Sequence, residues 1–464
     1  MIFASSIFLF LFLPILIVLY FLADRIFKNI KIQNIILLVF SLIFYSWGEP
    51  KFVILMLLSI FVNYCFGLTI SHKKSDLQSR VLLIICVIYN LSILFVFKYL
   101  NFSIDILNSI GIGKYGNIDI KLPIGISFFT FQILSYVIEV YRGNVKSQKN
   151  ILDLGLYISF FPQLIAGPIV RYNEIEKYIH NRVINWDSFF EGVQRFSIGF
   201  SKKILIADRL APFVDSVFSA EYPSLLGNWA GMISYTLQIY YDFSGYSDMA
   251  IGLGKMFGFD FPENFNYPYI SKSIKEFWRR WHISLSSWFK DYVYIPLGGN
   301  RKGNTRKCIN LLIVFFLTGL WHGAATTFVV WGLYYAIFII LENSVLKDLI
   351  KKLPSAVKWS YTILVVMIGW VFFRADSIYN AGRYIIHLFV PYGNDLNRFL
   401  YYFNAEFFMI ILVGILFSAP IYKLITLKGK KYEIIKSIAI MLLFILSITC
   451  MIGSGYSPFL YFRF

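Results

Sequence analysis

The sequence predicts an all-α polytopic membrane protein, and three observations support this fold class. Of its 464 residues, 58% are hydrophobic and only 15% are charged, whereas soluble domains are about 45–50% apolar. Apolar runs of about 15–20 residues recur along the chain, and each is long enough to cross or nearly cross a bilayer. No polar block of domain size separates these runs. We therefore expect about 10–12 membrane-entering helices, some of them re-entrant, in one integral membrane domain.

The charge distribution fits this class better than it fits a nucleic-acid-binding protein. The net charge is +17, but the basic residues cluster in short loops between apolar runs, which is the positive-inside pattern. The loops at 24–31, 71–80 and 142–150 are basic, and those at 46–51 and 101–121 are nearly neutral. Because basic and neutral loops alternate, we expect the N-terminus outside, the basic loops in the cytoplasm and no nucleic-acid partner.

The N-terminal third contains five predicted spans. The first apolar run has no basic segment before it and no small-residue cleavage site, so we expect a retained helix and not a signal peptide. The five spans are Ser6–Ala23, Gln33–Trp47, Phe52–Ile70, Val81–Leu100 and Leu122–Tyr141.

The next apolar run does not suit a straight span. Leu154–Val170 contains Pro162, Gly167 and Pro168, and these residues break helices. Irregular backbone is not tolerated in contact with lipid. We therefore expect a broken or re-entrant segment that is packed inside protein.

Two carboxylates, Asp242 and Asp248, lie within the long apolar run Trp229–Phe257. Six residues of helix place them about 120° apart, so they do not form one acid–base pair on one face. Carboxylates in such a helix mark either a polar path or a structural pair with buried cations. We favour the structural interpretation for both.

The longest polar segment is Gly258–Lys307, which contains nine Lys or Arg residues and is therefore expected in the cytoplasm. Its basic residues alternate with aromatic residues, among them Trp278, Trp281 and Trp288. This pattern predicts an amphipathic helix that lies in the membrane interface.

Cys308–Leu341 is an apolar run of 34 residues, which would be about 51 Å as one helix and is too long for one span. The following loop, Glu342–Lys358, is again basic, so both ends of the run are expected on the cytoplasmic side. The run must form a hairpin or re-entrant turn, with Gly319 and Gly323 as the natural break points. This arrangement places His322 near the turn, deep in the membrane.

Three further spans are expected after that hairpin. The short loop between the last two is basic and expected inside, so the C-terminal tail is expected outside. These segments are Tyr361–Phe373, Phe407–Leu427, Ile438–Ile452 and the tail Gly453–Phe464.

His322 is the first candidate for chemistry. A charged side chain at membrane depth costs about 3 kcal/mol or more, so an ionisable residue there usually has a function. Thr318 and Thr326 lie four residues to either side, which suits a lined cavity better than a lipid face. A neutral imidazole can accept a proton from a hydroxyl nucleophile. The alternative is a histidine that only hydrogen-bonds between helices.

His282 is the second candidate, because it lies beside Arg279 and Arg280 in the basic segment. The two guanidiniums could hold the phosphates of a nucleotide-containing donor. They could equally anchor the segment to anionic lipid, and the sequence does not decide between these alternatives.

Other signatures of catalysis or metal binding are absent from the sequence. The four cysteines are widely scattered and have no CxxC spacing, so neither a disulfide framework nor a zinc site is expected. No GxSxG, Walker A or HExxH pattern occurs. We therefore expect no nucleophilic triad in this chain, no metal and no bound cofactor.

The chain resembles the membrane-bound O-acyltransferase (MBOAT) family, in its bacterial alginate O-acetylase-like branch. The matching stretches span nearly the whole chain in order. They include SWGEPKFVILMLLSIFVNYCFG (46–67), LPIGISFFTFQILSYVIEVYRG (122–143), FFPQLIAGPIVR (160–171), DFSGYSDMAIGLGKMFGFDFPENFNYPY (242–269), FWRRWHISLSSWFKDYVYIPLGGNR (277–301), LTGLWHGAATTFVVWGLYYA (317–336) and PFLYFRF (458–464).

This resemblance implies a fold and a site. The fold would be a ring of helices with a central tunnel, organised as N-terminal helices (1–150), a catalytic core (151–345) and C-terminal helices (346–464). His322 matches the family's signature histidine and His282 a second characteristic histidine. The residues expected to contact substrate are Arg279, Arg280, Trp281, Trp321, Thr318 and Thr326.

The resemblance also implies an activity. An acetyl group would move from cytoplasmic acetyl-CoA across a bacterial cell membrane to hydroxyls of an extracytoplasmic polysaccharide, with an SGNH-type acetyltransferase or esterase as partner. Related branches acetylate peptidoglycan or D-alanylate teichoic acid, so the acceptor stays open. A non-enzymatic lipid or polysaccharide transporter is a further alternative, although the paired half-repeats expected of a transporter are not found.

Overall fold

The computed structural model describes residues 1–72, 75–183, 185–220, 224–391, 399–421, 429–453 and 459–460. In this part of the chain every regular element is a helix and no strand occurs, which confirms the all-α class. Seven of the described helices are long and apolar enough to cross a membrane, so the chain is a multi-pass membrane protein. The total of about 10–12 membrane-entering helices also counted shorter and re-entrant pieces, and it stays a prediction.

The helices are numbered here in chain order. They are α1 (Phe8–Phe27), α2 (Ile30–Gly48), α3 (Phe52–His72), α4 (Asp76–Ser109), α5 (Ile126–Tyr141), α6 (Ile151–Ser159), α7 (Phe161–Leu164), α8 (Tyr172–His180), α9 (Trp186–Lys202), α10 (Asp208–Phe218), α11 (Leu225–Met256), α12 (Ile274–Arg280), α13 (Ile283–Phe289), α14 (Gly303–His322), α15 (Thr326–Asn343), α16 (Lys347–Lys352), α17 (Ser355–Arg374), α18 (Ile378–His387), α19 (Ala405–Phe417) and α20 (Lys430–Gly453). The seven possible spans are α1, α2, α3, α4, α15, α17 and α20.

The chain forms two compact units. One consists of residues 1–196 with 246–262, and the other of residues 197–245 with 263–464. The single domain with subdivisions after residues 150 and 345 stays a prediction, as do the ring of helices and its central tunnel.

In the first unit the broken segment is present. α6 ends at Ser159, α7 is a single turn, and residues 165–171 are irregular before α8 begins. Pro162 lies in the first turn of α7, where a helix leaves its backbone N–H groups unpaired in any case. Residues 153–170 are all buried, so the irregular backbone is enclosed by protein, as the sequence predicted.

Helix α4 is longer than the predicted span Val81–Leu100. It continues to Ser109, so residues 101–109 of the loop predicted at 101–121 are helical. The physical reason lies in the sequence, because no Gly or Pro precedes Gly111 in this stretch. Gly111 has a positive φ of 79° and lies two residues after the helix end.

Both carboxylates of the long apolar run are structural, as predicted. In the first unit, Arg195 Nη2 lies 2.6 Å from Asp248 Oδ1. In the second unit, Lys203 Nζ lies 2.6 Å from Asp242 Oδ1 and 2.7 Å from Asp208 Oδ1. Pairing with a cation offsets the large cost of burying a carboxylate.

In the second unit, α14 and α15 form the predicted hairpin. Helix α14 ends at His322, and α15 begins at Thr326, so the chain leaves the helix only at residues 323–325. Gly319 was wrongly predicted as a break point, because it remains inside α14.

The glycines of the hairpin serve close packing instead. A Cβ added at Gly319 would overlap the carbonyl oxygen of Phe328, and one at Gly332 would overlap that of Phe315. The two contacts run in opposite chain directions, so the helices are antiparallel and their backbones touch at both glycines. Small residues allow membrane helices to approach this closely.

The predicted amphipathic helix over Gly258–Lys307 is wrong. The structure has two short helices there, α12 and α13, followed by a turn of π-helix at Lys290–Tyr294. Trp278, Trp281 and Trp288 are 7%, 1% and 4% exposed. Contacts with other aromatic rings bury these side chains within the second unit. They therefore do not form the exposed apolar face of an interfacial helix.

Some predicted features lie outside the described residues. These are most of the C-terminal tail 453–464, including the matched stretch 458–464 apart from Phe459 and Leu460, the end of the span Phe407–Leu427, and Lys73 and Lys74 of the basic loop at 71–80.

Candidate active site

His322 is the last residue of α14 and is only 2% exposed. Three aromatic rings enclose its imidazole, with ring centroids 5.0 Å away at Trp321, 4.9 Å at Trp331 and 5.3 Å at Phe373. All three meet the imidazole at steep angles, between 75° and 85°. The aromatic walls leave the imidazole almost no access to solvent.

The structure brings the two predicted histidines together. The His282 and His322 ring centroids are 6.3 Å apart, although 40 residues separate them in the chain. His282 is fully buried. Trp321 packs against both imidazoles, at 5.8 Å from His282 and 5.0 Å from His322. Phe243 of α11 packs against the His282 ring, with ring centroids 4.7 Å apart. The two histidines therefore lie in one aromatic enclosure.

Asn264 determines which nitrogen of His282 carries the proton. The Asn264 side-chain oxygen accepts the backbone N–H of Ser284 at 3.2 Å, which identifies this atom as oxygen, because an N–H can only donate. The same oxygen lies 3.2 Å from His282 Nδ1. Nδ1 must therefore donate, which makes Nε2 the basic nitrogen of the neutral ring.

Burial lowers the pKa of His282 to about 3, because an apolar enclosure disfavours the imidazolium. His282 lies outside the seven possible spans. The ring is therefore neutral at physiological pH, and its Nε2 can serve as a hydrogen-bond acceptor. Such a ring is a weak base, so it suits an orienting role better than repeated protonation.

The backbone at His282 is strained and held in place. Its φ of 45° and ψ of 56° lie in the left-handed region, which costs an L-residue about 1–2 kcal/mol. The next residue, Ile283, donates its backbone N–H to the Asn264 carbonyl at 3.0 Å. Asn264 thus holds both the backbone and the side chain of this segment, and a strained residue in such a setting is a marker of function.

Glu342 positions the helix that leads to His282. Its carboxylate accepts the backbone N–H groups of Ile274 at 2.7 Å and Lys275 at 3.2 Å, at the start of α12. A carboxylate at a helix N-terminus satisfies unpaired N–H groups and interacts favourably with the helix dipole. Glu342 belongs to α15, so the hairpin that carries His322 also fixes α12.

The two predicted donor-binding arginines differ in their surroundings. Arg280 bonds to Glu276 Oε1 at 3.0 Å and to the Asn266 carbonyl at 3.0 Å, so its guanidinium is largely committed to its own segment. Arg279 is exposed, and no hydrogen bond or ion pair links it to any residue in the described part of the chain. Only Arg279 is thus available for a phosphate without breaking an existing contact.

The remaining predicted site residues also differ. Trp321 lies between the histidines, as described above. Trp281 is 1% exposed and packs 4.7 Å from Trp370, so it supports the enclosure from behind. Thr318 donates its hydroxyl to Val314 O at 2.8 Å within its own helix. Its substrate contact, like that of Trp281, stays a prediction.

The predicted polar stripe through Thr318, His322 and Thr326 is wrong. Thr326 begins α15 after the break at residues 323–325, so it is not one turn further along the same helix. Thr326 is also exposed. The predicted hairpin and the predicted polar stripe are incompatible, because the turn of the hairpin separates His322 from Thr326.

Several residues of the enclosure were not predicted from the sequence. The hairpin could have suggested Trp331, because the early turns of α15 must return past the end of α14. Nothing in the spacing of Asn264, Phe243 or Phe373 indicates that these residues meet the histidines, since each comes from a different part of the chain.

The geometry defines a multi-pass helical membrane protein with two buried histidines in one aromatic enclosure. Similarity to known proteins identifies the family to which such a protein belongs. Residues 39–380 match the model of the MBOAT, membrane-bound O-acyltransferase, family. The chain belongs to this family and is an O-acyltransferase. The family assignment does not support the alternative function considered above, a non-enzymatic lipid or polysaccharide transporter.

Three relatives illustrate the range of the family. The chain is 41% identical to a probable alginate O-acetylase of Pseudomonas putida, over 100% of both chains. It is 33% identical to the peptidoglycan O-acetyltransferase of Helicobacter pylori, over 100% of this chain and 98% of that protein. It is 34% identical to the teichoic acid D-alanyltransferase of Bacillus subtilis, over 54% of this chain and 66% of that protein.

Proposed function

We propose that this protein transfers an acetyl group from cytoplasmic acetyl-CoA to hydroxyl groups of an extracytoplasmic polysaccharide. The observation that carries the proposal is the pair of imidazoles, His282 and His322, 6.3 Å apart in one buried aromatic enclosure. The similarity over the full chain to a probable alginate O-acetylase supports acetyl as the acyl group and a polysaccharide as the acceptor.

In the proposed reaction His322 acts as general base. Its imidazole takes the proton of the acceptor hydroxyl while the hydroxyl oxygen attacks the thioester carbonyl carbon. The carbon–sulfur bond then breaks, an ester forms, and the imidazolium returns the proton to the departing thiolate. His282 helps to orient the reacting groups by accepting a hydrogen bond at Nε2. This nitrogen carries the lone pair because Nδ1 donates to Asn264. The aromatic walls exclude water, which would otherwise compete as the acceptor.

Arg279 is proposed to meet the donor's phosphates on the cytoplasmic side. Its exposed guanidinium suits a phosphate because it presents several N–H donors in a fixed plane. Because Arg280 is bonded to Glu276 and Asn266, its part in this proposal is to hold α12.

The proposal includes an extracytoplasmic SGNH-type partner, whose serine hydroxyl would be the acceptor at His322 and which would then pass the acetyl group to the polymer. The sequence offers no serine nucleophile motif of its own, so a covalent relay through serine would have to come from another protein.

The proposed location is the bacterial cell membrane, with the N-terminus outside. Alternating basic and neutral loops support this orientation. Single cysteines at Asn304 and Asn117, in a chain whose four native cysteines are replaced, should differ in labelling by an impermeant maleimide on intact cells. Labelling at position 117 alone supports the orientation, and labelling at 304 alone contradicts it.

D-alanyl transfer to teichoic acid is the second candidate function. It is supported by 34% identity to a teichoic acid D-alanyltransferase, but over only 54% of this chain. The decisive experiment supplies the purified full chain in nanodiscs with radiolabelled acetyl-CoA or with an activated D-alanyl donor. His322-dependent consumption of acetyl-CoA alone supports the first function, whereas consumption of the D-alanyl donor alone supports the second.

A further inference from the structure

The segment that joins α15 to α17 has the composition of a membrane-surface element. This connector, residues 344–354, contains the short helix α16. Two large apolar side chains in it are exposed, Val345 at 78% and Leu349 at 57%. Its lysines are Lys347, Lys351 and Lys352. Basic residues beside exposed apolar ones are typical of segments that lie in the membrane interface.

The packing of the two flanking helices places the connector at one membrane surface. Both α15 and α17 are possible spans. In order away from the connector, their contacts are Phe338 with Tyr361 (ring centroids 6.4 Å apart), the Tyr334 hydroxyl with Val365 O (2.9 Å) and Trp331 with Phe373 (ring centroids 5.1 Å apart). Residue numbers rise along α17 as they fall along α15, so the two helices are antiparallel. The end of α15 and the start of α17 therefore lie at the same surface, and the connector lies between them.

The ammonium groups of the connector are available to a ligand. Within the described part of the chain, no hydrogen bond or ion pair joins the Lys347 or Lys352 ammonium group to protein. Lys351 Nζ lies 3.6 Å from Asp348 Oδ1, and both side chains are exposed, so this ion pair is weak. A lysine can keep its charge at the level of lipid headgroups while its apolar stem follows neighbouring apolar side chains.

The connector is also fixed to the start of α17. Lys358 Nζ, in that helix, donates to the Lys351 carbonyl oxygen at 3.1 Å. Trp359 follows directly, is partly exposed, and donates its indole N–H to Tyr269 O at 2.8 Å. An anchored, partly exposed indole at the end of a span is typical of the aromatic belt at the membrane interface.

We propose that the connector binds the headgroups of anionic phospholipids, with Lys347, Lys351 and Lys352 at the level of the phosphates. Val345 and Leu349 insert below them, among the upper parts of the acyl chains. The basic loop that contains the connector is predicted to be cytoplasmic, and the cytoplasmic leaflet attracts basic segments that lie next to spans.

This contact would support the candidate active site from a distance. Glu342 lies two residues before the connector, and its carboxylate accepts the backbone N–H groups of Ile274 and Lys275 at the start of α12. Lipid bound at the connector would fix this end of the α14–α15 hairpin. It would thereby steady the helix that leads to His282.

A solvated loop and a surface covered by another protein are the alternatives. A solvated connector would leave Val345 and Leu349 in water. A protein partner would have to displace headgroups from a segment that joins two antiparallel spans. Anionic lipid accounts for the lysines and for the exposed apolar side chains together, so the structure favours it over both alternatives.

The test places a fluorescent label at Leu349→Cys in the full chain, with the four native cysteines replaced. The protein is held in nanodiscs of phosphatidylcholine and phosphatidylglycerol in equal parts, and one of the two lipids is brominated at a time. Quenching by each brominated lipid reports which lipid contacts the label, and quenching by iodide reports water. The same label at Val18→Cys, an exposed position within α1, is the control for lipid contact without nearby lysines.

Two charge variants accompany the labelled protein. One combines Lys347→Gln, Lys351→Gln and Lys352→Gln. The matched control combines Lys31→Gln, Lys146→Gln and Lys149→Gln, which removes the same charge from exposed positions in other loops predicted to be cytoplasmic.

We expect phosphatidylglycerol to be preferred over phosphatidylcholine at position 349 by about fivefold or more, because each lysine at an anionic surface contributes about that factor. The preference should disappear in the connector variant and persist in the matched control. The label at position 18 should show no preference between the two lipids.

Equal quenching by the two lipids at position 349 overturns the proposal, as does a preference that survives in the connector variant or is lost equally in the matched control. Dominant quenching by iodide indicates a solvated connector and also overturns it. Protection from both lipid and iodide indicates a protein partner instead. None of these measurements depends on acetyl transfer, so their outcome is independent of the proposed function.

Discussion

The side-chain oxygen of Asn264 obliges His282 to donate from Nδ1. The relationship follows from one atom, because the oxygen that accepts the Ser284 backbone N–H at 3.2 Å also lies 3.2 Å from His282 Nδ1. A neutral ring held in this tautomer presents only Nε2 as a base. Burial lowers the pKa of His282 to about 3, which keeps the ring neutral.

The first prediction is that Asn264→Asp makes the activity pH-dependent. A carboxylate against Nδ1 favours the imidazolium, so the pKa of His282 should rise toward neutrality. Activity of the variant should then fall as the pH decreases through the raised pKa, because Nε2 becomes protonated. The wild type should lack the part of the pH dependence that comes from His282, since its His282 is already neutral between about pH 5 and pH 8.

The measurement is the pH dependence of acetyl-CoA consumption for the two proteins, with His282→Asn as the control. Asparagine tolerates the left-handed backbone of residue 282 better than most residues, so this variant should fold and show no His282 titration. Identical pH profiles for Asn264→Asp and the wild type would mean that Asn264 does not act through His282.

The pKa of His282 also predicts a direction for stability. The unfolded chain has an ordinary histidine pKa of about 6.5, whereas the folded pKa is lower, so the unfolded state binds the proton first as the pH falls. The free energy of unfolding contributed by this site should therefore decrease below about pH 6.5. Thermal unfolding between pH 7 and pH 5 should show a steeper loss for the wild type than for His282→Asn.

The second prediction separates the two arginines of α12. Arg279→Gln should raise the apparent Kd for acetyl-CoA by about tenfold with little change in folded yield, because it removes a charge-assisted contact without breaking an internal one. Arg280→Gln should mainly lower the thermal unfolding midpoint, because it loses the bonds to Glu276 and Asn266.

Isothermal titration with acetyl-CoA and thermal unfolding of the same preparations make this comparison. If Arg279→Gln binds acetyl-CoA as the wild type does, the guanidinium is better explained as an anchor to anionic lipid.

The third prediction concerns the hairpin. Gly332→Ala should destabilise the protein by about 1–3 kcal/mol, because the added methyl group overlaps the Phe315 carbonyl and backbone atoms can yield little. Gly382→Ala, in α18, is the matched control, since no atom lies within 4 Å of the added Cβ. It should be neutral or stabilise by about 0.4–1 kcal/mol. Thermal midpoints of the two variants in the same nanodiscs test the pair, and equal midpoints would contradict the close approach.

Composition and spacing predicted the parts of the fold that depend on local rules. Apolar run length identified the spans, and Pro162 with Gly167 and Pro168 identified the broken segment. The excessive length of Cys308–Leu341 required a hairpin. The ion pairs of Asp242 and Asp248 followed from the cost of a lone buried carboxylate.

The errors and omissions have a different origin, because they depend on long-range packing. Trp278 and Trp288 have the sequence pattern of an interfacial helix, but neighbouring rings bury them. The polar stripe through Thr326 assumed an unbroken helix. Asn264 and Phe373 approach the histidines only through tertiary folding, for which one sequence carries no periodic signal. The two histidines themselves were predicted, although their mutual distance was not.

The last prediction is that His322→Gln abolishes acyl transfer while the protein still folds. Glutamine preserves the approximate size and some hydrogen bonding but cannot accept a proton at neutral pH. Loss of a general base typically costs about 10²–10⁴ in rate. A histidine that only packs against Trp331 and Phe373 would instead cost stability, by about 1–3 kcal/mol for a buried group left unsatisfied. The two roles therefore give opposite results: lost activity at normal membrane yield, or lost yield at normal specific activity.

Polysaccharide acetylation in cells, normalised to the membrane content of the variant, makes the measurement. Trp288→Phe, which keeps a buried aromatic ring at a residue outside the candidate site, is the control for a packing change and should retain most of the activity. Full acetylation by well-expressed His322→Gln would exclude His322 as the base and would leave the proposed reaction without a proton acceptor.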